Sequence, residues 1–490
     1  MTIRLANQMK GGLPSRELRT RIADMKGGFM HTLSTFKRGS VVALLALVLA
    51  AGLTAVSAGA TTGRSSTGRI NLTYWFWGCS PQQQQVMQKV LINGFDASQS
   101  KYSLSVTYNN NVDTNIQVAL AADGGPDVVY GSGPSFVTEY APAGKVANMN
   151  KYSEEYGWKT RLNSAMYESG TLNGNLYALA NSFDTDGVFY NKAVLKKYGW
   201  AVPKTASQLV TEMNAAEKKG LYGGVSGNKG WRPDNFDVAN VFLTAESGPQ
   251  AVYKALTGSL SWTAAPFVKA VDTSAQWFKA GYFGGNNYFN LNYDDTAELL
   301  AEGKTPFWVS PTLSFQFLSA YFNQADGNLS ELGFEPFPTL TPGLPSPLYT
   351  LESPSSLSIN PYSKNQAGAA EVINYMMSEK FLDGMLANNW PGYWAVPLNH
   401  ISAKPSQYSG LSKLYLEAID NLLTAVKAGH MGYSLSTFYP PTVENAFLNI
   451  DEVWTNREST QKFLASVEKA QQQAKKLHLI SPVPKPYGIS

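Results

Sequence analysis

Two kinds of side chain in this sequence could do chemistry: large aromatic rings, and carboxylate, hydroxyl or guanidinium groups close to them. The rings stand in three clusters, which are Trp75 with Trp77, Trp231 with Arg232, and Trp390 with Tyr393 and Trp394. The polar groups are Asp184, Asp186, Glu352 and Ser353. Aromatic faces bury apolar surface, carboxylates accept from hydroxyl groups, and the planar fork of arginine makes paired contacts to oxygens. This combination predicts a binding site for a small molecule that has both apolar and polar surface.

The strands and helices that must position the first cluster follow from hydrophobic periodicity. The pattern predicts strands over 70–77, 102–108 and 127–130 and helices over 82–95 and 115–122. This alternation predicts parallel pairing through right-handed crossovers. Trp75 and Trp77 then lie on one face at the carboxyl end of the first strand, where ligands bind in open α/β sheets. Packing in the core is the alternative for both rings.

Composition excludes several classes of protein. The 490 residues exceed one hydrophobic core and predict two or three lobes. A single cysteine and four scattered histidines argue against a clustered metal site, so we expect no metal and no cofactor. Residues 61–490 hold 31 basic and 34 acidic residues, so this part of the sequence lacks the excess of positive charge that is typical of nucleic-acid-binding proteins. P-loop, nucleophile-elbow, HExxH and EF-hand motifs are missing from the sequence.

The N-terminal segment has the pattern of a secretory signal. Lys37 and Arg38 precede the apolar run Val41 to Val56, and Ala58-Gly59-Ala60 follows it. We expect cleavage near Ala60 and a protein on the periplasmic or extracellular face of the cytoplasmic membrane. A retained anchor is the alternative, although the run is shorter than the roughly 20 residues of a spanning helix. No cysteine follows the run directly, so no lipid anchor is evident, and translation could start at Met1 or Met30.

Four segments resemble one family. The segments are LAADGGPDVVYG at 120–131, LNGNLYALANSFDTDGVFYNKAVLKKYGWAVPKTASQLV at 172–210, LLAEGKTPFWVSP at 299–311 and SLSINPYSKNQAGAAEVINYMMSEKFLDGML at 356–386. They are similar to elements of the extracellular solute-binding proteins of ABC importers, within the sugar-binding, maltose-binding-protein-like cluster. The departures are Ala206 where relatives carry tryptophan and Pro311-Thr312-Leu313 where relatives often show Gly-x-Trp, so the ligand could differ.

The resemblance implies an α/β, two-lobed periplasmic-binding-protein fold (type II, clamshell) with hinge crossings between the lobes. We expect residues 1–60 as leader and signal, 61–182 with 354–388 as one lobe, 183–353 with 389–480 as the other, and 481–490 as a tail. Crossings are expected near 180–186, 350–356 and 387–396. Asp184, Asp186, Glu352 and Ser353 would then lie at the first two crossings, and Trp390, Tyr393 and Trp394 at the third.

The function that the resemblance implies is binding without catalysis. The protein would capture a mono- or oligosaccharide between the lobes, as a monomer, and deliver it to the permease subunits of an ABC transporter. The polar candidates could instead cap turns or pair across the lobes, and the Trp231-Arg232 loop could be a solvated surface loop. A secreted glycoside hydrolase that uses Asp184/Asp186 or Asp294/Asp295 as its carboxylate pair is the alternative function.

Overall fold

The computed structural model describes residues 68–229, 233–392 and 396–489, with the side chains of Pro233 and Asp234 left out. The predicted signal segment therefore lies outside the described residues, and so do Trp231, Arg232, Tyr393 and Trp394. Within these ranges, no helix combines the length and the apolar character needed to cross a membrane.

The described strands form two principal sheets and two short pairs. They are β1 (Ile70–Phe76), β2 (Tyr102–Tyr108), β3 (Val128–Gly131), β4 (Thr171–Leu172), β5 (Asn175–Leu176), β6 (Leu179–Ala180), β7 (Asp186–Asn191), β8 (Phe307–Pro311), β9 (Leu332–Pro336), β10 (Tyr349–Leu351), β11 (Ser356–Ile359) and β12 (Met431–Tyr433). The larger sheet has the order β2-β1-β3-β11-β6 and the smaller one the order β8-β7-β9. The short pairs are β4-β5 and β10-β12.

Helices surround the sheets along the whole described chain. The first group is α1 (Pro81–Met87), α2 (Asn93–Ser98), α3 (Val112–Ala121), α4 (Val137–Tyr140), α5 (Asn150–Tyr156), α6 (Trp158–Arg161), α7 (Ser164–Ser169), α8 (Lys192–Tyr198), α9 (Ala206–Glu217) and α10 (Pro233–Phe242). The second group is α11 (Pro249–Leu256), α12 (Ala265–Lys279), α13 (Tyr293–Ala301), α14 (Phe315–Tyr321), α15 (Gln366–Met376), α16 (Glu379–Ala387), α17 (Gly410–Lys427), α18 (Leu435–Phe438), α19 (Pro441–Phe447), α20 (Ile450–Trp454) and α21 (Thr460–Lys476).

The five-stranded sheet carries the parallel core that the sequence predicts. β1 pairs in parallel with β2 from Ile70↔Tyr102 to Phe76↔Tyr108, and it pairs in parallel with β3 through Tyr74. Alternate residues of β1 face the core, because Leu72, Tyr74 and Phe76 are buried while Thr73 and Trp75 are half-buried. The carboxyl ends of β1, β2 and β3 therefore meet at one edge of the sheet.

The three-stranded sheet is antiparallel throughout. The central strand β7 pairs antiparallel with both β8 and β9. Gly187 in β7 permits the close approach of β9, because a Cβ atom there would lie 2.4 Å from the Phe334 ring. Three tryptophans are buried in the core, namely Trp262, Trp277 and Trp308.

Two adjacent segments carry the chain between the sheets. The chain leaves the larger sheet after Ala180 and enters the smaller one at Asp186, and β10 leads back through residues 352–355 to β11. The two segments bond to each other, since the Asp184 amide donates to the Glu352 carbonyl at 2.9 Å and the Glu352 amide donates back at 3.0 Å. The residue boundaries of the two predicted lobes stay a prediction.

Candidate ligand-binding site

A cavity of about 600 Å³ lies beyond the carboxyl ends of β1 and β2, and we call it the Trp77 cavity. One wall comes from the segments that follow these strands, and the other comes from the segments around α13 and α14. The lining includes Trp77, Asn110, Asp113, Lys229, Tyr293 and Phe317. The cavity thus lies between elements attached to the two different sheets.

The Trp77 side chain is held in place at the wall of this cavity. Trp77 directly follows the last residue of β1, and its indole Nε1 donates to the Tyr130 hydroxyl at 2.7 Å. The ring is half-buried, so part of its surface remains accessible. Of the predicted site residues in the described part of the chain, Trp77 is the one that lines this cavity.

A hydrogen bond joins the two walls. The Gln83 Nε2 in α1 donates to the Gln316 Oε1 in α14 at 2.7 Å, and both residues are buried. The position of Gln83 is set by the start of α1, where Pro81 is in the first turn and the Ser80 hydroxyl accepts from the Gln83 amide at 3.2 Å. Relative motion of the walls must break this bond.

Asp113 lies at the centre of the cleft. It is in the first turn of α3, which begins directly after the loop that follows β2, and the Ser132 hydroxyl donates to its Oδ1. Burial raises the pKa of Asp113, and the bond from Ser132 partly offsets that rise. The start of the helix favours a carboxylate at this position through the helix dipole.

A second cavity of about 330 Å³ adjoins the first at Asp113, and we call it the Glu444 cavity. Its walls come from the segment after β3 and from α3, α4, α10 and α19. The lining includes Asp113, Tyr130, Phe136, Tyr140, Phe236 and Glu444. Since Asp113 lines both cavities, the two form adjoining sections of one cleft.

Carboxyl groups and a phenol interact around the Glu444 cavity. Burial raises the pKa of Glu444 to about 8, and the negative charges of Glu139 and Asp113 add to that rise. Burial likewise raises the pKa of Tyr140 to about 12, with Asp113 and Glu139 contributing in the same direction. The cavity wall therefore favours a positive charge.

The predicted polar residues of the first two crossings lie in the protein interior. Asp184, Asp186, Glu352 and Ser353 are at most 1 % exposed, and none of them lines either cavity. The Asp184 Oδ1 accepts from the Thr312 hydroxyl at 2.7 Å, and burial raises the pKa of Asp184 to about 6. Ser353 accepts from the Ser182 amide at 3.2 Å. These bonds tie the crossing segments to their surroundings.

Three buried acids, two at the crossings and one in α10, have the spacing of a cation site. Carboxylate oxygens of Asp186, Asp237 and Glu352 all lie within 4.8 Å of one another. Burial, reinforced by neighbouring carboxylates, raises the pKa of Asp186 and of Glu352. The Tyr293 hydroxyl donates to Asp237, so that carboxylate takes part in a hydrogen bond within the protein. Protonation of Asp186 and Glu352 lowers the cost of burying these two carboxyl groups.

The remaining described candidates also lie outside the lining of both cavities. Trp75 is half-buried and packs against the core, and Trp390 is 7 % exposed. The segment after Trp390 touches the start of α14, since a Cβ atom on Gly392 would lie 2.9 Å from the Leu313 carbonyl oxygen. Leu313 itself lines the Trp77 cavity at the place where relatives often carry tryptophan.

The structure adds site residues that the sequence did not reveal. Asp113 follows β2 as Trp77 follows β1, so the rule that ligands bind at strand ends could have indicated it. Tyr293 begins α13 and Phe317 lies in α14, and their rings stack at 5.1 Å. Glu444 carries no local signal, because its place in the cleft depends on packing against a distant part of the chain.

A larger cavity of about 680 Å³ lies elsewhere, between β9 and α17. Tyr190, Pro336, Tyr349 and Glu417 are among its lining residues. These residues belong to the three-stranded sheet and the elements packed on it, and the segments that follow β1, β2 and β3 do not contribute. The cleft at Asp113 is the better candidate because it is built from both sheets.

Solved structures share this fold at low sequence identity. A chitin oligosaccharide binding protein has a TM-score of 0.69 at 17 % identity, with 83 % of this chain and 99 % of that chain covered. A solute-binding protein of an ABC transporter from Thermotoga lettingae, bound with α-D-tagatose, has a TM-score of 0.66 at 17 % identity, with 84 % and 100 % covered. Maltose-bound MalE3 of T. maritima has a TM-score of 0.66 at 15 % identity, with 82 % and 99 % covered.

These likenesses confirm the predicted two-lobed α/β clamshell. No curated protein sequence is significantly similar to the chain. The sequence model of one family does match, over residues 80–381, which is more than half of the chain. The protein belongs to the family of bacterial extracellular solute-binding proteins.

Proposed function

We propose that the protein is the substrate-binding component of an ABC importer and captures a mono- or oligosaccharide in the cleft formed by the Trp77 and Glu444 cavities. The lining of the Trp77 cavity carries this proposal. There the rings of Trp77, Tyr293 and Phe317 share one space with the Asn110 amide and the Asp113 carboxyl. Rings cover the C–H face of a sugar, and amide and carboxyl oxygens accept from its hydroxyl groups.

The solved structures of the same fold support a saccharide as the ligand. They include proteins that bind a chitin oligosaccharide, α-D-tagatose and maltose. An exported monomer that hands its ligand to permease subunits fits the extracellular family. The signal cleaved near Ala60, the absence of a lipid anchor and the lobe boundaries given above belong to the same proposal.

Ligand binding is coupled to closure of the cleft. A saccharide that touches both walls makes more contacts in the closed arrangement than in the open one, and only this difference in affinity can shift the population. A shift from 1:99 to 99:1 requires about 5.5 kcal/mol. The closed form presents both lobes to the permease, and the ATPase that drives transport is a separate protein.

The hydrolase alternative draws no support from the carboxylate pairs that suggested it. Asp184 and Asp186 are buried and line neither cavity. Asp294 lines the Trp77 cavity, but Asp295 takes part in a capping box with Asn292 at the start of α13. We therefore propose binding without catalysis.

The proposal is tested by isothermal titration calorimetry of the mature protein with maltose, maltotriose and N-acetylglucosamine oligomers. We expect at least one of these saccharides to bind, and Trp77→Ala to weaken that binding at least 10-fold, because burying an aromatic ring contributes about 1.5–3 kcal/mol. Trp200→Ala is the matched control, since this half-buried ring stacks on Tyr198 and lines neither cavity. Binding of another solute class alone, with no saccharide bound, would refute the saccharide part.

A further inference from the structure

The Glu444 cavity differs in charge from the Trp77 cavity. Asp113 and Glu444 line it, and the carboxylate of Glu139 is close enough to act on Glu444 electrostatically. None of the described residues that line it is lysine, arginine or histidine. Lys229, by contrast, lines the Trp77 cavity. A ligand in the Glu444 cavity therefore meets carboxyl groups on both α3 and α19.

The Glu444 side chain is half-buried, and one of its two carboxyl oxygens, Oε2, is enclosed by protein without a hydrogen-bond partner. The pKa of Glu444 is raised to about 8, first by burial and then by the charges of Glu139 and Asp113. An enclosed carboxyl of this kind either keeps its proton or needs a cation beside it. The cavity beside Glu444 has room for such a cation.

Aromatic rings form the rest of the wall. Tyr130, Phe136, Tyr140 and Phe236 all line the Glu444 cavity, and the rings of Phe136 and Tyr140 lie 6.1 Å apart. The negative face of an aromatic ring attracts a cation within about 6 Å. Carboxylates combined with ring faces are the surroundings that proteins use to bind ammonium groups.

The position of Asp113 links this wall to the rest of the cleft. Asp113 lines both cavities, whereas Lys229 lines only the Trp77 cavity and Phe236 lines only the Glu444 cavity. A molecule that extends from Trp77 to Glu444 thus passes Asp113 at its middle. The two cavities together offer more room than a single sugar ring fills.

On the basis of the proposed function, we propose that the ligand is a cationic saccharide, namely an oligosaccharide that carries a protonated amino sugar. Its ammonium group lies in the Glu444 cavity between Asp113 and Glu444, and its other rings lie along Trp77. The ammonium charge replaces the proton of Glu444 and neutralises the carboxylates that face it.

The test compares two saccharides of equal length and linkage, the β-1,4 trimer of glucosamine and the trimer of N-acetylglucosamine, by calorimetry at pH 7. We expect the cationic trimer to bind at least 10-fold more tightly. Glu444→Gln keeps the size of the side chain and removes its charge, so it should weaken binding of the cationic trimer about 10-fold, and this loss should be at least 5-fold larger than the loss for the neutral trimer. Glu302→Gln, at an exposed glutamate that follows α13, should change neither.

Three outcomes separate this proposal from the proposed function. Equal affinity for both trimers, or equal loss of both in Glu444→Gln, overturns the cationic ligand while saccharide binding stands. Failure of the wild-type protein to bind any saccharide overturns the proposed function and this inference with it. Asp113→Asn is the second variant if Glu444→Gln unfolds, as judged by thermal melting, and it should also weaken the cationic trimer more than the neutral one.

Discussion

Burial sets the protonation of the carboxyl groups at the crossings between the two sheets. Burial is the largest cause of the raised pKa of Asp184, Asp186 and Glu352, and the charges of neighbouring carboxylates add to it at Asp186 and Glu352. A neutral carboxyl can pack and hydrogen-bond in the interior without the cost of a buried charge. These residues thus act as neutral polar groups in the buried segments that cross between the two sheets.

Asp184→Asn tests this protonation. The folded-state pKa of about 6 lies above the ordinary 3.8, so the stabilising effect of the protonated form is complete below about pH 4 and is lost as the pH rises through 6. Asparagine keeps an oxygen for Thr312 and cannot ionise. We expect the free energy of unfolding of the variant to exceed that of wild type by about 1–3 kcal/mol at pH 7. At pH 4 the two values should differ little.

Denaturant unfolding at both pH values provides the measurement. Asp326→Asn serves as the control, because this aspartate is exposed and should change little at either pH. An equal loss of stability in Asp184→Asn at pH 7 and at pH 4 would show that folding does not raise the pKa of the Asp184 carboxyl.

At the scale of residues, sequence reasoning reached part of the site. Trp77 could be predicted because it stands at the end of a recognisable strand. Asp113 lies in the first turn of α3, and nothing in its local sequence distinguishes it from other acidic residues near a helix start. Glu444 could not be predicted, because α19 reaches the cleft only through tertiary packing.

At the scale of elements, the β1–α1 unit positions both Trp77 and Gln83. Ser80 caps α1, and Thr205 with Gln208 forms a capping box at α9. Replacing either cap by alanine removes one hydrogen bond to an unpaired backbone amide and costs about 1 kcal/mol. Of these two helices, α1 alone carries a residue that lines the cleft. Loss of either cap should therefore lower stability, but only loss of the α1 cap should also affect binding.

We expect Ser80→Ala and Thr205→Ala to lower the free energy of unfolding by similar amounts, about 1 kcal/mol each. Only Ser80→Ala should also weaken saccharide binding, by a few-fold, because fraying of α1 displaces Gln83. Chemical denaturation and calorimetry on the same preparations provide both values. Equal affinities for the two variants would show that the start of α1 does not position the cleft wall.

The elements with strong periodicity could be predicted, and those defined by packing could not. The expected strand over 102–108 has these bounds in the structure. The antiparallel pairing of β11 with β3 did not follow from local pattern, because a strand that returns from a distant segment has no local signal for its direction. The helix α10 was missed next to the loop that holds Trp231 and Arg232.

At the scale of the whole molecule, hydrogen-bonded crossing segments join the two sheets, and direct hydrogen bonds also join the cleft walls. The Gln83–Gln316 bond spans the Trp77 cavity, and the Ser135 hydroxyl donates to the Ser436 carbonyl beside the Glu444 cavity. A hydrogen bond between neutral groups contributes about 1 kcal/mol, which changes a two-state population about 5-fold. Single wall contacts of this size can therefore tune the balance between open and closed arrangements.

Gln316→Ala tests whether this bond favours closure. Alanine leaves the buried Gln83 carboxamide without its partner, so we expect the ligand-free variant to shift toward the open arrangement and to show a larger radius of gyration than ligand-free wild type in small-angle X-ray scattering. Saturating saccharide should restore the compact value, because bound ligand contributes the missing contacts between the walls. Gln472→Ala, on the exposed face of α21, is the control. A radius that is the same in all these states would show that ligand capture proceeds without movement of the walls.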